Sequence, residues 1–573
     1  MKRLIITIAY LAAIIVAYAQ KEVTVETAGT LKDLISSEEK YSITELKING
    51  PINGTDIILL RDMSGIDLDN NITEGKLEKI DMSGASIVKG GEPFYTDFVS
   101  MIDYYTTDNE ISDMMFYMCA VIKSVILPDN ITAIGENAFK ECINLHDITL
   151  PKSLSEIRKG AFYGTAIEEF TFPENVMPSE EIFADCQKLA KVTLPENCTE
   201  IPNDAFSSTA ITEISIPSKV TRIGEGAFSG CPLTVVTMPE NLIEIGKMAF
   251  MRCKELKEVN FNEKLETIGS SAFNACENIT NIYIPNSVTT MGTSVFSTCY
   301  NLTEVHLPEN ITEISTGMFD RCRNLSKVNI PQNITRIGDC AFQNDGKITE
   351  FIFPETVTTI GASAFTDTGI KELILPENIS EIGKSAFARC EKLIKIQMPK
   401  KLTTISKSLF SGCSNIEELV INEGVTKIES MALSSCTSLK KLTLPASLES
   451  IDQMGIALDY ALEEIHCKGN TPPVCGMRVF ITNEGEIPQN CTLFVPKGSK
   501  SEYEKADTWS LFTKICEEET TNISSTDAKN RTEIMRYNIT GQRINQPEKG
   551  INIIVYDDGT TEKIIIKPQI RNL

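Results

Sequence analysis

The sequence predicts an α/β repeat solenoid, a right-handed coil with a parallel sheet on its concave side, followed by a small C-terminal β module. Three observations predict it. At 573 residues the chain is too long for one ordinary globular core. From Ile122 onward one pattern recurs, L-x-x-I-x-L-P-x-x-I-x-x-I-G-x-x-A-F-x-x-C. Its proline place, held from Pro128 to Pro445 with Asn262 and Asn422 as the two exceptions, returns every 22 or 23 residues. Fifteen units in one register mark a repeat array.

The elements follow in chain order. Residues 1–19 have the layout of a secretory signal peptide: Lys2 and Arg3, an apolar run from Leu4 to Val16, and Ala17-Tyr18-Ala19 before Gln20. The run is short for a stable membrane span, and no cysteine follows it for lipid attachment. Residues 20–119 read as an N-terminal cap with degenerate repeats. Ile43-x-x-Leu46-x-Ile48 and Leu77-x-x-Ile80-x-Met82 supply two strands there, and Phe116–Cys119 the end of a turn. Residues 120–467 are the regular repeats. In each, L-x-x-I-x-L is a strand with alternate residues in the core. Proline ends the strand because it cannot donate to a ladder, and I-G-x-x-A-F returns the chain as a turn or short helical piece. Where a unit has 22 residues, the missing one precedes Ile167, Ile211, Leu233 or Ile370, or lies in the return before Phe183. The strands are spared, as stacking requires. At about 4.8 Å per strand the fifteen units make a rod roughly 70 Å long. Leu462-x-x-Ile465-x-Cys467 gives a last strand. Residues 468–516 form a C-terminal cap with a helix after Lys500 and the only tryptophan, Trp509; 517–530 are a polar linker; 531–573 alternate like a small β module.

Eleven of the seventeen cysteines share one repeat place: Cys119, Cys142, Cys186, Cys231, Cys253, Cys276, Cys299, Cys322, Cys390, Cys413 and Cys436. Thr165, Thr209, Thr368 and Asp345 fill it elsewhere. A place that accepts Thr or Asp does not demand a covalent partner, so a reduced structural ladder is expected despite the exported context. Cys467, Cys475, Cys491 and Cys516 lie outside it, and disulfides among them stay open.

Two rows of side chains face outward from the strands. The first, from Glu169 to Glu464, places Lys191, Lys327, Lys395 and Lys441 between glutamates, which reads as a solvated ladder of charge pairs. The second begins with Thr149, Thr171, Thr193, Ser215 and Thr237, then changes to Asn260, Tyr283, His306, Asn329, Ile352 and Ile374. That break is the expected ligand-binding site, because exposed rings and aliphatics on a polar sheet face mark contact surfaces. An ordinary varied sheet face is the competing reading.

Catalysis is not expected. The three histidines are dispersed, and His306 and His466 share one repeat place seven strands apart. No G-x-S-x-G, H-E-x-x-H, glycine-rich phosphate loop or C-x-x-C occurs. No metal or cofactor is therefore expected. The net charge of −24, with no cluster of Lys and Arg, argues against nucleic acid.

The repeat resembles the BspA-like, Treponema-type class of leucine-rich repeats over about two-thirds of the chain, carried by residues such as Ile284-Pro285 and Ile382-Gly383 with Ala386-Phe387-x-x-Cys390. The tail from Tyr537-Asn-Ile-Thr-Gly541-Gln-Arg to Lys567 looks like the C-terminal sorting module of proteins exported by the type IX system of Bacteroidota, although the usual Gly-x-Tyr element reads Gly550-Ile551-Asn552. These resemblances imply a secreted or cell-surface protein, outer-membrane-associated but not membrane-spanning once the signal is removed. For some family members they imply adhesion to host matrix proteins. The expected partner is an extracellular protein or glycan. A structural scaffold of the cell envelope is the alternative.

Overall fold

The computed structural model describes residues 19–482, 485, 487–488, 490–518, 533–538, 543–544, 546, 550–556 and 561–566. The expected signal peptide (but for Ala19), most of the expected linker and parts of the C-terminal module lie outside them.

The L-x-x-I-x-L segments form short strands such as Glu169–Thr171, Asn281–Tyr283 and Glu304–His306, most of which pair in parallel with the equivalent strand one coil on. The central residue of each, for example Phe170, Ile282 and Val305, is buried, and its two neighbours face outward. Hydrogen bonding along this sheet is not continuous. Neither Glu213–Ser215 nor Glu350–Ile352 forms a strand, so the ladder stops after Lys191–Thr193 and after Lys327–Asn329; it also stops after Asp147–Thr149, Glu258–Asn260 and Lys395–Gln397.

Around its Ala-Phe pair the return segment is the expected turn, as at residues 136–141, but it is nowhere helical and it opens with a strand that was not expected. Its Ile-Gly end builds a second parallel ladder, as where Glu244–Ile245 pairs with Thr267–Ile268 and that with Thr290–Met291. No α-helix occurs within residues 120–467. The repeats are therefore a parallel β-solenoid, and the α/β description applies only loosely, through the helices Gly54–Met63 and Lys500–Tyr503 in the caps. The reason is in the backbone. The residues just before the Ala and just before the Cys take positive φ, for example Asn137 (54°) and Glu141 (62°). This aims N–H groups along the solenoid axis: Asn137 donates to Lys159 O (2.9 Å), Phe139 to Ala161 O (2.9 Å) and Glu141 to Tyr163 O (2.8 Å). Donors spent on the next coil cannot close an i to i−4 helix. Gly160, Gly226 and Gly317 fill one of these places; Asn137 and Asp204 also do, as residues that tolerate this region more readily than most, and so does Ser271.

One continuous core runs the length of the repeats, with a column of rings at its centre. Fourteen phenylalanines from Phe116 to Phe410 stack coil upon coil, with ring centroids 5.2–6.3 Å apart and planes within 4–22° of parallel. Burying each ring contributes roughly 1.5–3 kcal/mol.

Both ends are closed. At the N-terminus the strands Gln20–Thr24, Glu45–Ile52 and Lys79–Ile87 continue the concave sheet; the last two contain the degenerate strands read from the sequence. Helix Gly54–Met63 lies beside them. Its cap is Asn53, whose Oδ1 accepts from Thr55 N (3.1 Å) while Asn53 N donates to Asp56 Oδ2 (2.9 Å). Arg61 of this helix is buried, and its Nη1 donates to Met115 O (3.2 Å) and Tyr117 O (3.1 Å). In the next coil the equivalent carbonyls, Ala138 O and Lys140 O, receive Phe116 N and Met118 N. The guanidinium thus supplies the donors that a preceding coil would have supplied. At the other end Trp509 Nε1 donates to Pro473 O (2.8 Å) and Tyr503 Oη to Gly469 O (2.8 Å), with Phe480 and Phe512 packed against the indole. Beyond that, Glu533–Asn538, Gly550–Tyr556 and Thr561–Ile566 form an antiparallel three-stranded sheet.

Candidate functional site on the concave face

The Cys place lies against the Phe column. Cys142 Sγ donates to Phe116 O at 3.0 Å, and the same bond, from one coil's thiol to the preceding coil's Phe carbonyl, recurs at Cys186, Cys231, Cys253, Cys276, Cys299, Cys322, Cys390, Cys413 and Cys436. Thr209 and Thr368 bond the Phe carbonyl of their own coil (2.9 Å each) and meet the next thiol at 3.2 and 3.3 Å. All seventeen cysteines are free in the structure. Burial pushes the Cys119 and Cys231 thiols up to about 11 and Cys299 to about 12, so this flank carries no ready thiolate. Asp459 also occupies the place, 23 residues after Cys436, and its Oδ1 accepts from Cys436 N at 2.7 Å. The 23-residue spacing alone marks Asp459 as a member of the ladder beside the eleven cysteines. Among the described residues no group of His, Cys, Asp and Glu is arranged to hold a metal ion.

On the concave face the first outward row is charge-paired. Lys191, Lys327, Lys395 and Lys441 each reach the glutamate of the preceding strand, at 3.5, 3.8, 3.9 and 3.6 Å. Such exposed pairs contribute about 0–1 kcal/mol each. With eight glutamates to four lysines from Glu169 to Glu464, the row stays net acidic.

The second row falls into three parts. Tyr283 and His306 stack face to face, with centroids 4.2 Å apart and planes 10° from parallel, and His306 Nε2 lies 3.2 Å from Glu304 Oε1. The same arrangement recurs at His466, which stacks on Phe494 (4.5 Å) and meets Glu464 Oε2 at 3.0 Å. A ring stack with a glutamate two residues earlier is thus a local way of seating histidine on this sheet. Asn329 is engaged by the backbone: its Oδ1 accepts from Leu307 N (2.6 Å) and its Nδ2 donates to Leu307 O (3.3 Å). In other coils that donor reaches the next strand's backbone carbonyl, as Ile284 N does to His306 O (3.0 Å), so at Asn329 the side-chain amide takes the place of one ladder bond. Asn260 makes only a long contact with Thr237 Oγ1 at 3.5 Å.

The aliphatic part is different. Ile352 is 85% exposed, Ile374 52% and Tyr283 62%. Val420, two coils beyond Ile374, is also exposed and extends the row. Ile352 sits on the coil whose backbone leaves the ladder, while Phe351 beside it packs edge-on against Phe342 and Phe365 at 5.2 and 4.8 Å. The inner side chain holds this coil in place and the outer one meets water.

The family model described as a BspA-type leucine-rich-repeat region of six copies matches residues 109–234, 222–349 and 335–457, together more than half of the chain. The chain belongs to the BspA-type leucine-rich-repeat family. No curated protein matches its sequence. Among solved structures, a leucine-rich-repeat protein from Bacteroides ovatus ATCC 8483 is 26% identical with a TM-score of 0.44, covering 61% of this chain and 85% of that one. A leucine-rich cell surface protein from Faecalibacterium prausnitzii A2-165 is 21% identical with a TM-score of 0.32, over 70% and 92% of the two chains. The pneumococcal vaccine antigen PcpA is 19% identical with a TM-score of 0.35, over 69% and 89%. As a BspA-type repeat protein the chain has the architecture of a binding or scaffold molecule. Among its described residues no helix is long and apolar enough to cross a membrane.

Proposed function

We propose that this BspA-type protein is an exported, non-enzymatic binding protein of the cell surface or medium. Its concave face around Tyr283, His306, Ile352 and Ile374 docks an extracellular protein or glycan. The observation that carries the reading is the exposure of Ile352, Ile374 and Tyr283 on a sheet row otherwise begun with threonines. Isolated exposed apolar residues need no explanation, but a row of them bordered by paired charges is what a contact surface presents. Asn260 precedes that row and Asn329 lies within it, between His306 and Ile352, with its amide already committed to the backbone. Export rests on the layout of residues 1–19 and on the resemblance of the tail to a sorting module.

The test is binding of the purified protein to a panel of matrix proteins and glycans. Saturable binding to one of them is expected, with loss of capture in the combined variant Tyr283→Ser, His306→Ser, Ile352→Ser and no change in its thermal unfolding. Undiminished capture would remove the site. Retention by envelope components alone would assign the scaffold role instead. Deleting residues 531–573 tests export, since unchanged surface display rejects the sorting assignment.

A further inference from the structure

The rim that joins the Cys place to the concave strand is not uniform. In the coil Thr368-Gly369-Ile370 one residue stands between place and strand, where Asp345-Gly346-Lys347-Ile348 and Cys390-Glu391-Lys392-Leu393 have two. The short coil leaves a shallow depression lined by Arg323, Asn344, Gly346, Lys347, Asp367 and Lys392. Its floor is backbone on backbone, because a Cβ on Gly369 would lie 2.4 Å from Gly346 O. Above Gly346 the space is open, the nearest atom to an added Cβ being Asp367 O at 3.8 Å. The other coils shortened in this way carry Ala166, Ala210 and Pro232 at the equivalent point, all with side chains.

The charges around this notch run against those of the molecule. Lys347 and Lys392 have no ion-pair partner among the described residues, and the Arg323 guanidinium lies over the Tyr300 ring at 5.2 Å. The one carboxylate in the lining, Asp367, is already paired with Arg389. Asp320 nearby is engaged by Arg321 (3.7 Å) and by Asn344 Nδ2 (3.4 Å), and Glu391 lies outside the lining. Asp345 is buried in the Cys column, away from the lining, where loss of hydration pushes its carboxyl well above the usual range. A backbone donor is also spare: Ala166 N donates to Leu145 O (2.9 Å), but its counterpart Gly369 N has no acceptor among the described residues.

We propose that this notch is an anion-binding site, in which Arg323, Lys347 and Lys392 hold one sulfate or phosphate group. Lys347 and Lys392 stand two coils apart, about 10 Å along the rod, a gap that suits one oxyanion between two ammonium groups. An extended polyanion does not fit, because a chain with a net charge of −24 repels it everywhere else. The site is on the rim and is independent of the concave row proposed above.

Titration of the purified protein at low ionic strength with N-acetylglucosamine 6-sulfate, with mannose 6-phosphate and with the two unmodified sugars tests this. Saturable binding of a charged sugar, weakened by 0.5 M salt and absent for the neutral sugars, is expected. Combining Arg323→Gln, Lys347→Gln and Lys392→Gln should weaken it about ten-fold or more, while Lys188→Gln, Lys219→Gln and Lys400→Gln together leave it unchanged. Preference for the sulfated sugar assigns a sulfate ester, and the reverse assigns a phosphoryl group. No binding of either charged sugar, or equal binding by the first triple variant, overturns the proposal.

Discussion

The Phe–Cys flank and the outward row of the concave face come from the same repeated units, yet they vary in opposite ways. Where the flank departs from Cys, most replacements keep the bonding: Thr209 and Thr368 still donate to a Phe carbonyl, and Asp459 accepts a neighbouring amide. Where the outward row departs from Thr, the new side chains at Ile352, Ile374 and Val420 face solvent. Variation that preserves a bond belongs to the fold. Variation that only changes what solvent sees is free to serve a partner. Asp345 is the instructive exception on the flank, since both its carboxyl oxygens are buried without a well-formed hydrogen bond.

Four substitutions probe that contrast, from the largest effect to the smallest. Phe273→Ala removes a ring stacked between Phe250 (5.3 Å) and Phe296 (5.7 Å) and should destabilise the solenoid by about 3–5 kcal/mol in chemical denaturation. A loss under about 1 kcal/mol would mean that the column is not a cooperative core. Arg61→Met strips the donors from Met115 O and Tyr117 O and should cost about 2 kcal/mol. Hydrogen exchange should then rise first in the coil around Phe116, not near Trp509.

Asp345→Thr should act in the other direction, and its sign depends on pH. Burial raises the Asp345 pKa above that of the unfolded chain, so the folded state holds the proton more tightly. The neutral carboxyl supports folding fully below the unfolded value of about 3.9, and this support is lost as pH rises through the folded value. Threonine should therefore raise the unfolding midpoint at pH 8 and give a smaller gain, or none, at pH 4. An equal gain at both would show that ionisation is not the cause. Last, Ile352→Thr should change stability by less than about 0.5 kcal/mol, because the side chain it removes is solvated. A larger loss would place Ile352 with the fold and not with the contact surface.

Periodicity made part of this legible. The coil direction, the inward residues of each strand, the Cys place and the lysine–glutamate pairs all follow from a 22–23-residue register, because each is a relation between equivalent positions. Tyr283 beside His306 was legible for the same reason, and their stacking is what adjacent strands impose. The occupation of Asn329 by Leu307 was not, since one residue's amide replaced a ladder bond that sequence spacing assigns to the backbone.

The amino-acid sequence by itself determined that the chain winds as a solenoid, which side chains fill it and where its outward row changes character. Only the tertiary structure decided that the return segment opens with a second β-ladder and continues as turns and not as a helix, because that depends on where its N–H groups point around two positive-φ residues per coil. It also decided that Arg61 completes the first open coil, and that a missing residue at Gly369 gathers Arg323, Lys347 and Lys392 around one notch. Those features are contacts between coils that no equivalent repeat position shares, and a periodic pattern carries no record of them.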